Sequence, residues 1–314
     1  MKKKISIVSS AFNEQNNVWE LYERVKAEMQ KYADKYDYEH ILIDNASTDN
    51  TANELRKIAA QDSRFKVIVN NRNFGHIRSP YYVILQASGD AVIYMASDLQ
   101  DPPELISSFL QQWEQGYKVV LAQKQSSKES PLFFLIRKIY YWLLNRFNDS
   151  GATLVSNCTG FGLYDKEVVD VLRKLNDPYP YLRGLVCELG YAHSLVPFVQ
   201  PKRKRGFTKN NFYTLYDNAM IGFTNHSKVP LRLASFLGFV LGICSGVLAL
   251  IYLVLKLLFW DKFPMGTMPI LLTVLFFSAV QLCFLGVLGE YIGAILTQIL
   301  KRPLVTEKER INFK

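Results

Sequence analysis

Over roughly the first two hundred positions, short apolar runs alternate with stretches in which apolar residues recur every three or four places. Residues 5–10 make a first buried strand, followed by the polar pair Asn13 and Glu14 and by Val18, Leu21, Val25 and Met29 at helical spacing to about residue 32. Further strands are predicted at 40–43, 65–69, 91–96, 117–122 and 194–199, and helices at 51–60, 102–115 and 166–174. Runs that apolar suit strands covered on both faces. Their alternation with helices, without tight hairpin signals, predicts an α/β domain with a mainly parallel, doubly wound sheet.

The pattern changes after residue 231. Residues 233–255 carry no charge, and neither do residues 263–289. A bilayer core asks for about 20 apolar residues in a helix, so each run is long enough to span, and together they predict a two-helix transmembrane hairpin. Residues 131–147 interleave Arg137, Lys138 and Arg146 with ten large apolar residues, a pattern that fits a helix in the membrane interface and equally a core helix of the domain. The organisation expected is a cytoplasmic domain over 1–210, a juxtamembrane amphipathic segment over 211–230, two transmembrane helices over 231–300 and a cytoplasmic tail over 301–314.

Charge orients this arrangement. The chain of 314 residues has a formal net charge of +9, and its basic residues gather beside the apolar runs: Lys202 to Arg205, Lys209, Lys228, Arg232, Lys301 and Arg302. By the positive-inside tendency the globular part and both termini face the cytoplasm and the connection at 260–265 lies outside. Membrane lipids are expected partners. A nucleic-acid partner is not expected, because the basic run lacks an accompanying fold signal. Lys2 to Lys4 with the apolar residues 5–8 are too short for a signal peptide. Cys158, Cys187, Cys244 and Cys283 lack zinc spacing and read as free thiols. Gly242, Gly246, Gly286, Gly289 and Gly293 would allow close helix packing within the chain or in a homo-oligomer.

The densest chemistry follows the strand at 91–96, in Ser97-Asp98-Leu99-Gln100-Asp101-Pro102-Pro103-Glu104. In an open α/β sheet, ligands bind beyond the carboxyl ends of the strands, where Asp98 emerges. Asp98 and Gln100, two residues apart, are candidate ligands for one hard cation, Mg2+ or Mn2+, which would also hold substrate phosphates. Asp98 and Asp101 are the candidate catalytic carboxylates. Asp101 also reads as the N-cap of the next helix, with Pro102 at N1 and Glu104 at N3.

The words Asp98-Leu99-Gln100-Asp101-Pro102-Pro103-Glu104 resemble the polyprenyl-phosphate glycosyltransferases of glycosyltransferase family 2, an inverting, nucleotide-sugar-dependent class with the GT-A fold that includes dolichol-phosphate mannose synthases and undecaprenyl-phosphate glucosyltransferases. The resemblance runs over almost the whole chain. Ser10-Ala11-Phe12-Asn13-Glu14 is similar to the family's Pro-x-Tyr-Asn-Glu turn, which implies nucleotide contacts for Asn13 and Glu14, residues that read equally well as helix caps. Asp44-Asn45-Ala46-Ser47-Thr48-Asp49 is similar to Asp-Asp-Gly-Ser-x-Asp, whose first Asp contacts base or ribose, so Asp44 inherits that role; Asn45 and Ala46 depart from the motif, and Ser47 and Asp49 read as caps. Asn73 matches the family's Asn-x-Gly near the nucleotide, and Arg78 is a candidate for the pyrophosphate. Arg205 and Lys209 match a loop, Arg-x-Gly-x-Ser-Lys, that receives the lipid phosphate, and Lys124 and Arg137 are further candidates on that side.

The family's Asp-x-Asp-x-Gln here has Ala96 in first place, and its Gly-Asp-Phe-Arg-Leu has Gly160 and Gly162 where the Asp and Arg stand. The function implied is inverting transfer of a hexose from a UDP- or GDP-sugar to undecaprenyl phosphate or another polyprenyl phosphate, at the cytoplasmic face of a membrane, expected to be the bacterial inner membrane. The alternative is a non-catalytic scaffold or lipid-binding relative. A processive polysaccharide synthase would need a Gln-x-x-Arg-Trp motif, which is absent.

Overall fold

The computed structural model describes residues 2–125, 157–201, 227–259 and 267–313, together with 146, 155 and 220. Eight strands form one sheet: β1 (Lys3–Ala11), β2 (Tyr36–Asp44), β3 (Phe65–Asn70), β4 (Ala91–Ala96), β5 (Val119–Lys124), β6 (Cys158–Asp165), β7 (His193–Phe198) and β8 (Glu307–Ile311). Their order across the sheet is β7-β5-β6-β4-β1-β2-β3-β8. The pairs β1–β2, β1–β4, β2–β3 and β5–β7 are parallel; β4–β6, β5–β6 and β3–β8 are antiparallel. The sheet is parallel where the sequence pattern alternates strand and helix, and β6 and β8 run against it.

Five consecutive residues of β1, Ile5 to Ser9, are buried, as expected of a strand covered on both faces. One face is covered by α1 (Val18–Gln30), α2 (Thr51–Gln61) and α4 (Ile106–Glu114), which drive Leu21, Val25, Leu55, Ile58, Phe109 and Leu110 against Ile5, Ile7, Leu42 and Ile93. The other is covered by α3 (Gly75–Gln86), α5 (Lys166–Leu175) and α6 (Leu182–Glu188), with Tyr81, Ile84, Val168, Leu172 and Val186 packed on Val8, Ile41, Ile43 and Val92. The next elements are α7 (Val229–Leu258) and α8 (Thr267–Leu300), long and apolar enough to cross a membrane. At 1.5 Å per residue, the thirty residues of α7 extend about 45 Å, against a hydrocarbon core of about 30 Å. Their large apolar side chains lie exposed from Leu233 to Leu300, the surface a lipid-facing helix presents.

Three expectations are revised. The helix predicted from 102 begins later: Pro102 is extended, Pro103–Leu105 form a 3-10 turn, and α4 opens only at Ile106. A Cβ added at Gly242, Gly246, Gly286, Gly289 or Gly293 would meet nothing within 4 Å, so these glycines seat no neighbouring helix of the described chain. Residues 301–314, expected as a tail, contain β8, which completes the sheet beside β3. Asn71 N–H bonds the Thr306 carbonyl, Arg56 pairs with Glu309 at 2.7 Å, and Asn312 Nδ2 donates to the carbonyls of Ala59 and Phe65.

Candidate active site

The strands β1 to β4 run in one direction, so their exits share one rim of the sheet. Ala11 lies opposite Asp44, Ser10 opposite Ala96, and Asp44 opposite Val69. The chain order reverses at β1, with β2 on one side and β4 on the other, and a crevice opens at such a switch point. Ser97 Oγ donates to the Ser10 carbonyl at 2.7 Å and fixes the exit of β4 against that of β1.

On the β2 side, Asn13 takes a left-handed conformation (φ 59°) that turns the chain out of β1. Its N–H donates to Ser47 Oγ (2.9 Å), its Nδ2 donates to Thr48 Oγ1 (3.1 Å), and its Oδ1 accepts from Thr48 N–H (2.8 Å). Ser47 in turn donates from Oγ and N–H to the buried Asp44 carboxylate, so Ser47 holds Asp44 and does not cap α2. Burial pushes the Asp44 carboxyl up, and the Ser47 bonds pull against it. The N-cap of α2 is Asn50, and Asp49 just before it accepts from the N–H and Oγ1 of Thr51, the first residue of the helix. Glu14 opens α1, its carbonyl accepting from Asn17 and Val18 N–H and its carboxylate from Asn17 Nδ2. Thus Asn13 and Asp44 belong to one bonded unit, while Glu14 holds the turn before α1, whose N-cap is Asn17.

Asn73 is fastened by a residue that the motif comparison treats as a mere departure. The Asn45 amide is buried; its Oδ1 accepts from Asn70 Nδ2, Ser79 Oγ and Phe74 N–H, and its Nδ2 donates to Asn73 Oδ1 and the Gly75 carbonyl. Gly75 opens α3 at φ 85°, a conformation glycine adopts without strain. Asn45 therefore carries the position of β2 to the loop that follows β3.

On the β4 side, Leu99 is buried at φ 62° and forces a tight turn. Asp98 and Gln100 are both half-buried on that turn, with Asp98 Oδ1 accepting from Gln100 N–H at 3.1 Å. Asp101 does not cap a helix. Its buried carboxylate turns back to accept from Ala96 N–H at 2.9 Å, because extended Pro102 delays the helix beyond its reach. Burial, then the charge of Asp98, pushes Asp101 up to about 7, against the Ala96 N–H bond and the opposing charges of Lys124 and Arg183.

Lys124, at the end of β5, thus stands on the same crevice as Asp98 and Asp101. So do two residues the motif reading did not assign. Tyr94, with its hydroxyl 3.4 Å from Ser10 Oγ, is raised by burial and feels Asp101, Asp98 and Arg183. Arg183 is exposed in the first turn of α6; its segment, Tyr181-Leu182-Arg183-Gly184-Leu185, was the available signal. Arg78 is not a solvated surface arginine: its Nε is buried without a hydrogen-bond partner among the described residues, and its guanidinium lies 5.4 Å from the centre of the Tyr179 ring. Arg137, Arg205 and Lys209 lie outside the described residues, as does the segment 131–147 apart from Arg146. Among the described residues no group of three or more His, Cys, Asp or Glu side chains is placed to hold a metal ion.

The family model described as "Glycosyl transferase family 2" matches residues 6–173. The uncharacterized glycosyltransferase YkcC of Bacillus subtilis (strain 168) is 34% identical over 300 residues, 95% of this chain and 91% of its own. The SfII prophage-derived bactoprenol glucosyl transferase of Shigella flexneri is 32% identical over 301 residues, 96% of each chain. The solved glucosyl-3-phosphoglycerate synthase of Mycobacterium tuberculosis, in complex with Mn2+, UDP and its product, superposes with a TM-score of 0.48 at 19% identity, covering 71% of this chain and 78% of that one. With its family match spanning all four parallel strands of the crevice and its relatives matching nearly end to end, the chain belongs to glycosyltransferase family 2: it is a glycosyltransferase with the GT-A fold.

Proposed function

We propose that this glycosyltransferase moves a hexose, with inversion, from a UDP- or GDP-sugar to a polyprenyl phosphate such as undecaprenyl phosphate at the cytoplasmic face of the membrane. The observation that carries the reading is the union, in one sheet, of a strand-exit crevice bearing Asp98 and of β8, which is reached only through two exposed apolar helices. One substrate is water-soluble and the other stays in the bilayer; a cytosolic crevice tied to an apolar hairpin meets both. Relatives named as bactoprenol glucosyl transferases, matching over 96% of this chain, support the same acceptor class.

Asn13, Asp44 and Asn73 orient the nucleotide at the exits of β1 to β3, with Glu14 shaping the turn beside them. Asp98 and Gln100 would hold Mg2+ or Mn2+, and this donor set fits a cation that keeps most of its ligands from the diphosphate and water, since one or two carboxylates suffice for such a site. When bound, the ion supplies Lewis-acid stabilisation of the departing diphosphate. The acceptor phosphate oxygen is already ionised near neutral pH, so no side chain has to remove a proton from it. Asp101 keeps the turn closed against Ala96 N–H, and Lys124 supplies positive charge where phosphate oxygens collect. Arg78 is the candidate for the donor pyrophosphate, while Arg205 and Lys209 are assigned to the lipid phosphate from their motif, with Arg137 a further candidate there.

The test is to incubate the full chain in a bilayer with undecaprenyl phosphate and a panel of labelled UDP- and GDP-sugars, with and without Mn2+. Labelled lipid is expected with one donor and is lost in Asp98→Asn. The absence of labelled lipid with every donor overturns the proposal and favours the non-catalytic scaffold, the alternative that Ala96 and Gly160 raise.

A further inference from the structure

At Gly160 and Gly162, β6 gives the crevice no side chain. A side chain at Gly162 would overlap the Val120 carbonyl oxygen and come within 3.1 Å of Leu121 Cα, because β5 lies closely against that residue. Gly160, at φ 91°, would hold any other residue in a strained backbone conformation, and Leu182 Cδ2 already sits 3.7 Å from the place of its Cβ. Of the helices packed on β6, α6 is the one that reaches Gly160, through Leu182, and so can bring a functional group to this side of the crevice.

Helix α6 brings Arg183. Leu182 and Leu185 of the same helix pack in the apolar cluster with Tyr94, Cys158 and Tyr164, which sets Arg183 toward the exit of β4 and the start of β6. Its exposed guanidinium opposes the upward shifts of Asp101, Tyr94, Cys158 and Tyr164 alike, as a cation lying among them would. The loop entering α6 is also where the membrane end of the chain meets the domain: Gln298 Nε2, in the last turn of α8, donates to Asp177 Oδ1 at 2.9 Å, and Tyr179 lies beside Arg78. The nucleotide-side residues Asn13, Asp44 and Asn73 stand at the other flank, on β1, β2 and the loop after β3.

We propose that Arg183 is an acceptor-binding residue, whose guanidinium receives the phosphate of the lipid acceptor on the membrane side of the crevice, beside the two glycines of β6. A planar guanidinium offers paired donors to a phosphate, which an ammonium does not. The inference rests on the acceptor class proposed above, so its test separates the two. Binding of farnesyl phosphate to the full chain in nanodiscs is measured without donor, alongside UDP binding with Mn2+, for the wild type, Arg183→Ala and Arg183→Lys. The expectation is at least a tenfold loss of farnesyl phosphate affinity in Arg183→Ala, a smaller loss in Arg183→Lys, and UDP affinity within twofold of wild type throughout. Equal farnesyl phosphate binding by wild type and Arg183→Ala overturns this inference alone. A parallel loss of UDP affinity reassigns Arg183 to the donor diphosphate and also overturns it. Failure of the wild type to bind farnesyl phosphate while still binding UDP overturns the acceptor reading and this inference together.

Discussion

Replacing Asn45 by Asp exchanges one NH2 for one oxygen and tests how the nucleotide side of the crevice is held. Asn45 Oδ1 keeps its three donors in the variant, but the second oxygen then faces Asn73 Oδ1 and the Gly75 carbonyl, which lie 2.9 and 3.1 Å from the present Nδ2. Asn73 cannot resolve the clash by turning its amide, because its Oδ1 also accepts from Gly75 N–H at 2.8 Å. Two lost bonds at about 1 kcal/mol each, with a buried charge against two acceptors, give a cost of about 3 kcal/mol. A difference of that size between charged and neutral forms moves a carboxyl from its usual value near 4 to roughly 6. The folded state would then hold the proton more tightly than the unfolded chain, so the charge-dependent part of the deficit is absent below about pH 4, grows between about pH 4 and pH 6 and is full above that. Thermal unfolding of the detergent-solubilised chain at about pH 4.5 and pH 8 reads this directly. The expected loss is roughly 5–10 °C at pH 8 and clearly less at pH 4.5, with weaker nucleotide binding at the higher pH. A deficit that is negligible, or equal at the two pH values, would refute the assignment of Asn45 as the donor that fastens the Asn73 loop.

Three further outcomes follow from the coordinates. Ala46 stands at φ 58°, where a Cβ costs about 1 kcal/mol, so Ala46→Gly should raise the melting temperature by a degree or two despite the freer unfolded chain; a lower value would contradict it. Burial alone would push the Glu39 carboxyl up, yet bonds from Lys4, Lys66, Ser6 and Ser88 outweigh it and hold it at about 2, so it contributes roughly 3 kcal/mol that is present above about pH 4.5 and lost as pH falls toward 2. Glu39→Gln should lose most of that at pH 7 and less than half of it at pH 3, as read by urea unfolding. Truncation after Arg302 removes β8, its Arg56 ion pair and the Asn312 amide bonds, and should deprotect β3 amides in hydrogen exchange while leaving β4 protected.

The first four strands were legible because each is an apolar run buried on both faces, and the position of Asp98 followed from the end of the fourth. The two apolar helices were equally plain. What escaped the pattern has physical causes. The strand β8 reads Glu-Lys-Glu-Arg-Ile, a charged edge strand held by ion pairs and by Asn312 instead of by apolar periodicity. Asp101 sits in a strong capping sequence, but the extended conformation of Pro102 postpones the helix and leaves its carboxylate to Ala96 N–H. Asn45 looked like a lost acid because its partners come from β3, the following loop and α3, which no local motif brings together. Arg183 was missed because it is carried by α6, whose Leu182 packs at Gly160 of β6, a contact that no local motif announces.

The return of the chain to β3 also bears on how the domain stands at a membrane. The strands β7 and β8 occupy opposite edges of a single sheet, and the two long apolar helices lie between them in sequence. A chain that leaves a sheet and rejoins it must recross any bilayer it enters, so an odd number of crossings is incompatible with the pairing of Val67 to Asn70 with residues 307–311. The crevice and the C-terminal strand then share one side, and the last turn of α8 is held to the domain by Gln298 on Asp177 as well as by the strand that follows. Two attachments on either flank of α3 resist rotation of the domain about the helices in a way that one linker would not. In the proposed reaction, such an anchorage keeps the face bearing Arg183 turned toward the acceptor while the nucleotide side stays open to the solvent.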